Sequence, residues 1–350
     1  MPKTPLKDLW PQIRRRLTDL KKLNFRVLLA PLHFIVNFVT SWWRALIIAF
    51  AALIFLYYPL GGALINNLDN NTGYEIKTRP EQSAAAEMMA FLINREVNQK
   101  LWTPALPFFF PSAWLDNMPN YQLGIISAVA DLAESLARIQ EKTIADGSDP
   151  SPLSEAAELL QYPGTIWMFS PQNSLIPVPS ASSQYAKARK LLIRYNKFLA
   201  AGAETAYKSP EDLAFILKRI SYDLSRDGIK KLEEQIREEN TSWVDFKADN
   251  IFFYNQGKAY GYYLLLQALG HDYKEIIVSR NLYQKWTQML SALETASAIR
   301  PLIVRNASLD SSFSPNHLNY LAFYMLKAQK TMLITADRLT IRPAPAKEQP

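Results

Sequence analysis

Ala45-Leu46-Ile47-Ile48-Ala49-Phe50-Ala51-Ala52-Leu53-Ile54-Phe55-Leu56-Tyr57-Tyr58 settles the first architectural question. These residues open a charge-free run of 21 residues, Ala45 to Ile65. At 1.5 Å rise per residue, about 20 apolar residues cross the ~30 Å hydrocarbon core of a bilayer. Trp42 and Trp43 stand before the run, and Tyr57 and Tyr58 close its apolar centre. Aromatic rings at both ends suit the two headgroup boundaries. A buried helix of a soluble protein would not need that frame. A cleaved signal peptide fits poorly, because the polar region ahead is 44 residues long. The expectation is an uncleaved signal anchor over 45–65.

Working outward, the charge of the chain lies on one side of this segment. The chain has 350 residues and a formal net charge of +7. Residues 1–44 hold nine Lys and Arg against Asp8 and Asp19, so they carry the whole excess. The remaining 306 residues are balanced, with 30 basic and 30 acidic groups. That distribution removes nucleic acid as a partner of the main domain and favours a cytoplasmic N-terminus. Leu6, Leu9, Ile13, Leu17 and Leu20 follow one helical face, while Arg14, Arg15, Arg16, Lys21 and Lys22 lie mostly elsewhere. Such an arm either lies on anionic lipid or acts only as a topology signal. The residues expected to meet lipid are Arg14, Arg15, Arg16, Lys21, Lys22, Trp42, Trp43, Tyr57 and Tyr58. Residues 27–43 are also uncharged, but Pro31, His33 and Asn37 make them a poor second span. No turn separates them from Ala45, so they read as an interfacial or continuous helix.

Asn66 to Gly73 is a short polar stretch, and residues 66–79 read as a linker. From about Pro80 the pattern is helical. Ile125, Val129, Leu132, Leu136 and Ile139 recur at the spacing of a core-facing helix. Leu153 to Tyr162 and the stripe Ala188, Leu191, Leu192, Tyr195, Phe198 and Leu199 read as two more. Ser209-Pro210-Glu211-Asp212 is a helix start, with a capping hydroxyl, Pro in the first turn and acids at the positive dipole end. Tyr283, Trp286, Leu290 and Leu293 mark a later helix, as do Leu318, Leu321, Met325, Met332 and Ala336. Strand-like alternation is nearly absent. The fold class is therefore all-α: one transmembrane helix, then a multi-helix soluble domain over 80–342, with a disordered tail over 343–350.

Zero cysteine removes thiolate metal sites, disulfide frameworks and cysteine nucleophiles. His33, His271 and His317 lie far apart without partners at i+3 or i+4, so no metal site is expected. No phosphate loop, dinucleotide fingerprint or nucleophile elbow occurs, and no cofactor is implied.

Two stretches are unusual. In Leu106 to Gln122, Pro107, Pro111 and Pro119 interrupt a run that includes Phe108, Phe109, Phe110 and Trp114. Phe109 and Trp114 could line a ligand or partner groove with Asp116 and Asn117 as polar handles; a packed loop pinning two helices reads the same residues. Phe252-Phe253-Tyr254, followed by Tyr260, Tyr262 and Tyr263, could stack on a sugar through Tyr254 and Tyr260, or form a helix through the domain centre. Asp116, Asp245 and Asp249 could supply a glycosidase-like carboxylate pair.

Pro107-Phe108-Phe109-Phe110-Pro111-Ser112, Leu115 to Gln122 and Ser314-Pro315-Asn316-His317-Leu318 resemble segments of an uncharacterised proteobacterial family, known only as a domain of unknown function. Tyr185 with Tyr195-Asn196, and Phe253-Tyr254 with Gly257-Lys258-Ala259-Tyr260, are similar too, so the likeness spans about 75–340. The resemblance implies a single-pass inner-membrane protein with a large helical domain, and brings no activity or catalytic residue. The expected function is a non-enzymatic periplasmic module that binds an envelope protein or glycan as scaffold or accessory factor. The alternative is a carboxylate-dependent hydrolase of envelope glycans.

Overall fold

The structure is a computed structural model and describes residues 25–65, 67–107, 109–111, 117–142, 150–168, 176–203, 208–238, 245–301, 303–308 and 315–341. Among them are eleven helices and no strand; an isolated bridge joins Asn306 and Asn316. The chain divides into a unit spanning residues 1–59 and a second spanning 60–350.

The first unit holds most of α1, Phe25–Ile65, a single helix of 41 residues. Residues 27–43 therefore continue into the apolar run without a break. Within α1, Thr40–Ile65 is long and apolar enough to cross a membrane, with a mean hydropathy of 2.0. Phe50, Leu53 and Phe55 are exposed on it, as a helix surrounded by acyl chains requires. Phe34, Phe38 and Trp42 stack at four-residue intervals along one face.

The second unit is built on α8, Phe246–Asp272. Leu264, Leu265 and Leu266 are consecutive and all fully buried. Successive side chains point about 100° apart, so α8 must be covered on every side. Its main cover is α3, Asn117–Glu141. There Gly124 meets the backbone of Tyr254, and Gly257 meets the backbone of Tyr121. An added Cβ would stand 2.0 Å from the Tyr254 carbonyl oxygen at the first and 2.1 Å from that of Tyr121 at the second. Glycine costs a helix interior about 1 kcal/mol relative to alanine, and here backbone-to-backbone packing offsets that cost.

Around this pair lie α2 (Ala84–Ile93), α4 (Pro152–Leu160), α5 (Ala181–Ala200), α6 (Pro210–Asp223), α7 (Lys230–Arg237), α9 (Lys274–Ser279), α10 (Tyr283–Ser297) and α11 (His317–Thr340). Most positions of the periodic stripes are buried, although Tyr283 of α10 is exposed. Ile125, Val129, Leu132 and Ile139 are buried, as are Leu318, Leu321, Met325, Met332 and Ala336. Ser209 and Asp212 form a reciprocal capping box at α6. The helix expected from about Pro80 begins at Ala84 instead, because Ser83 is its cap and accepts from the Ala86 N–H at 3.1 Å.

Two helices end in a π-turn, the looser i→i+5 winding: Asn94–Gln99 follows α2, and Leu224–Ile229 joins α6 to α7. The extra residue per turn redirects the side chains beside it.

The segment read as a linker is bound to the domain. Leu68, Tyr74 and Ile76 pack on the core. The Asn70 amide donates to the Ser297 carbonyl at 3.1 Å, and the Tyr260 hydroxyl donates to the Asn71 carbonyl at 2.7 Å. Residues 67–76 thus form a strap rather than a free spacer.

Candidate functional site

Polar chemistry in the domain is arranged around α8. Lys258 and Tyr262 are one helical turn apart and share a face, whereas Tyr260 between them points the other way. Each face meets a buried charged cluster beside a π-turn.

On the Lys258 face, the ammonium is fully buried, 2.6 Å from Asp223 and 4.0 Å from Asp131. The Tyr262 hydroxyl lies 2.5 Å from Asp223 and 3.0 Å from Asp131, so two carboxylates share one phenol and one cation. Burial and then the Asp223 charge push Asp131 up to about 7. Burial opposes the Lys258 charge, but Tyr254, Asp223 and Asp131 outweigh it, and its pKa rises. Burial also carries Tyr262 well above the ordinary phenol range.

On the Tyr260 face, Arg95 and Glu96 come from the first π-turn, 2.6 Å apart. Arg95 donates to the Tyr260 hydroxyl at 2.6 Å and faces Asp69 of the strap at 3.5 Å. Gln122 accepts from both Thr103 groups, N–H at 3.0 Å and hydroxyl at 2.7 Å, and donates to the Glu96 carbonyl at 3.1 Å. Burial works against the Arg95 charge; Glu96 and Tyr260 restore it and raise its pKa. Burial would raise Asp69 too, yet the Tyr74 hydroxyl, the Asn71 N–H and Arg95 hold it below the usual carboxylate value. These clusters pair charges with one another and lock α2, α3, α6 and the strap to α8.

An open surface with recognition chemistry lies at the C-terminal end of α8. Three clefts adjoin there, and His271 lines all of them. One, about 180 Å³, lies against Tyr74, Lys77 and Met88. A second, about 380 Å³, is bounded by Lys208, Asp272, Lys274 and Glu275. The third, also about 380 Å³, is apolar: Ile277 and Val278 of α9 face Tyr283, Trp286 and Leu290 of α10. Gly270 lets the Trp286 ring approach α8, since a Cβ there would stand 2.6 Å from the indole Nε1. Gln267 lies on the wall of the first and third clefts. Asp272, beside His271, accepts from the Ala84 N–H at 2.8 Å, the Ala85 N–H at 3.1 Å and the Ser83 hydroxyl at 2.7 Å. A carboxylate unfavourable at its own helix end thereby fixes the start of α2, where it suits the dipole.

Of the residues expected to line a groove, the described ones take separate places. Tyr260 is fully buried and committed to Arg95 and Asn71, so it belongs to the core. Tyr254 presents its ring to Lys231 and Lys258, 5.7 and 5.5 Å from the centroid. Phe109 is half exposed, edge-on to Trp167 at 6.2 Å. Asn117 begins α3, while Trp114 and Asp116 lie outside the described residues. Asp245 caps α8, accepting from the Ala248 N–H at 3.0 Å and the Gln235 amide at 3.2 Å; Asp249 stands in the first turn of that helix. The carboxylates that do converge, Asp131 and Asp223, carried no sequence signal because they lie on different helices. His317 bonds reciprocally with Arg305: its ring Nδ1 accepts from the Arg305 N–H at 3.0 Å, and its own N–H donates to the Arg305 carbonyl at 3.0 Å. Burial, then the Arg305 charge, lowers its pKa, in keeping with a packing role.

Of the residues expected to meet lipid, Trp42, Trp43 and Tyr57 are exposed on α1, and Tyr58 is half-buried with its ring edge-on to Tyr57 at 5.2 Å. Arg14, Arg15, Arg16, Lys21 and Lys22 lie outside the described residues.

No curated protein and no solved structure matches the chain. A bacterial family described as "Uncharacterized protein conserved in bacteria" (DUF2333) matches residues 106–213 and 216–334, about two thirds of the chain. Those stretches hold the whole of α3 and of α8, with both carboxylates of the Lys258 cluster and the cleft walls at Gln267, His271 and Trp286. The chain belongs to this bacterial family, DUF2333.

Proposed function

We propose that the chain is a membrane-tethered binding module of the bacterial envelope. In this reading α1 is an uncleaved signal anchor in the inner membrane, with the basic arm cytoplasmic and touching anionic lipid, and the helical domain periplasmic. The domain acts as an accessory or scaffold factor for an envelope protein or glycan, and the clefts at the end of α8 are the receiving surface.

The observation that carries the reading is a separation of roles. The buried charges pair internally along the middle of α8, whereas apolar and polar groups lie open side by side at its end. Binding sites take that form: an apolar wall with a few polar groups that fix orientation.

Photo-crosslinking from position 283 in intact envelopes tests it, because Tyr283 is exposed on the cleft wall. The expected result is a discrete adduct that is absent when the crosslinker replaces an exposed residue remote from the clefts, such as Lys230. Equal, diffuse labelling from both positions would overturn the reading. A reporter fused after residue 350 should be active only on the periplasmic side; activity in the cytoplasm would reverse the topology.

A further inference from the structure

We infer that the helical domain carries a second lipid contact: an uncharged aromatic surface, made by the turn at 107–111 and the neighbouring segment at 162–168, that docks in the headgroup layer beside the end of α1. The inference rests on the reading of α1 as a membrane span and is separate from the clefts at the end of α8.

The position of this surface follows from Gly61. A Cβ at Gly61 would stand 2.6 Å from the Pro111 Cγ, so the turn packs directly on the last turns of α1. Gly61 and Pro111 belong to the same unit of the chain. Along the helix, Gly61 lies three residues past Tyr58, a rise of about 4.5 Å. Tyr57 and Tyr58 close the apolar centre, and the headgroup layer beyond such a boundary is roughly 5–7 Å deep. Pro111 is therefore held at headgroup depth. Leu60 and Leu64, on either side of Gly61, are exposed, so the lipid-facing surface of α1 continues to the level of the turn.

The composition of the surface matches that depth. Residues 101–115 and 159–186 hold no charged side chain, in a chain where 20% of residues are charged. The described parts of the two stretches meet. The Trp102 indole donates to the Gly164 carbonyl at 2.9 Å, and Phe109 lies edge-on to Trp167 at 6.2 Å. The Phe110 N–H closes the turn on the Pro107 carbonyl at 2.9 Å, with the Phe109 and Phe110 rings 5.2 Å apart. Phe109, Met168 and Ile176 are exposed, and Trp167 is half-buried.

Aromatic rings favour the boundary between acyl chains and water. An irregular turn suits it too, since water is present there to satisfy backbone groups that the hydrocarbon core would strand. The tether does the rest: α1 holds the surface at the bilayer, so a few rings suffice without a large apolar area. The absence of charge separates this contact from that of a basic arm, which draws on anionic lipid.

The chain has no cysteine, so single-cysteine variants accept one label each. Phe109→Cys, Met168→Cys, Phe50→Cys on α1 and Lys230→Cys on α7 receive an environment-sensitive fluorophore, in the full chain in nanodiscs of zwitterionic lipid. The quenchers are lipid with a nitroxide at the top of its acyl chain, lipid with a nitroxide near the chain end, and iodide in the water. Labels at 109 and 168 should lose most of their emission to the shallow nitroxide and resist iodide, at low and high salt alike. The label at 50 should answer to the deep nitroxide, and the label at 230 to iodide alone. Adding Phe109→Asp should open the label at 168 to iodide while leaving the melting temperature unchanged. A Phe109 that only packs the loop would lower the melting temperature instead.

Iodide quenching at 109 and 168 equal to that at 230, with the label at 50 still reporting depth, would overturn the docking and leave the span intact. Loss of deep quenching at 50 would overturn the span and this inference with it. Labels open to iodide in nanodiscs but shielded in native membrane vesicles would assign the surface to an envelope partner and overturn lipid as its occupant.

Discussion

Gly124 of α3 and Gly257 of α8 lie at one helix crossing, each in contact with the other helix's backbone. A side chain at either position would meet a carbonyl oxygen rather than another side chain, and a carbonyl in a helix cannot turn aside. Gly257→Ala and Gly124→Ala should each destabilise the domain by about 3 kcal/mol or more, the upper range for overpacking. Gly261→Ala should cost less, because the nearest atom there is the Ala128 Cβ at 3.0 Å. Thermal unfolding of the three variants, followed by circular dichroism in one detergent, checks the order. Equal melting temperatures would show that α3 and α8 pack less closely than described.

Among the described residues, Lys258 is the sole cation bonded to the Asp131–Asp223 pair. Lys258→Met should cost about 3–5 kcal/mol, since it leaves buried carboxylates without a counter-charge. The double variant Lys258→Met/Asp223→Asn should recover part of that loss, because the stranded charge is gone. Denaturant titration of the two proteins measures the difference. A double variant less stable than the single would contradict the pairing.

Asp131 also predicts how stability depends on pH. Its pKa is raised to about 7 in the folded chain, whereas an unfolded aspartate titrates near about 4. Between those values the folded state holds the extra proton, so stability falls as pH rises through the window. Asp131→Asn cannot ionise and should flatten that slope, gaining melting temperature relative to the parent at pH 8 more than at pH 5. Parallel slopes for the two proteins from pH 4 to 8 would rule out the raised carboxyl.

Tyr260→Phe removes one hydroxyl that accepts from Arg95 and donates to the Asn71 carbonyl. The change should cost about 1–3 kcal/mol, the range for stranding buried partners. Hydrogen exchange should quicken in the strap over 69–76 more than in α10, which the hydroxyl does not touch. Uniform acceleration across both would deny the strap its anchor.

What could be read from the sequence was local. The repeats at Ile125, Val129, Leu132 and Ile139 needed only the helical period, and the Ser209–Asp212 box only four consecutive residues. The apolar run after Arg44 likewise announced its own helix. The central helix α8 was harder to rank, because a helix buried on all sides has no stripe to reveal it. Its aromatic stretch allows either a sugar platform or a helix through the domain centre, and the structure has the second: Tyr260 is core and Tyr254 faces lysines. The clefts were invisible for a different reason. Gln267, His271, Lys274 and Trp286 are ordinary residues singly, and they become a surface only when α8, α9 and α10 meet. Ser83 hid as a cap because half of what holds that terminus comes from Asp272, 189 positions later.

That last distance has a consequence in time. The first helix of the domain takes its N-terminal partner from near the end of its central helix, and both α2 and α3 pack on α8. A ribosome adding 5–20 residues per second needs roughly 10–40 s to travel from Ser83 to Asp272. Through that interval α2 and α3 have emerged without the helix they share, with the faces they turn to α8 open. Synthesis of this chain therefore includes a waiting period, during which a holding chaperone has the greatest purchase. Truncations ending before residue 246 should leave α2 and α3 without their common partner, however complete each is by itself.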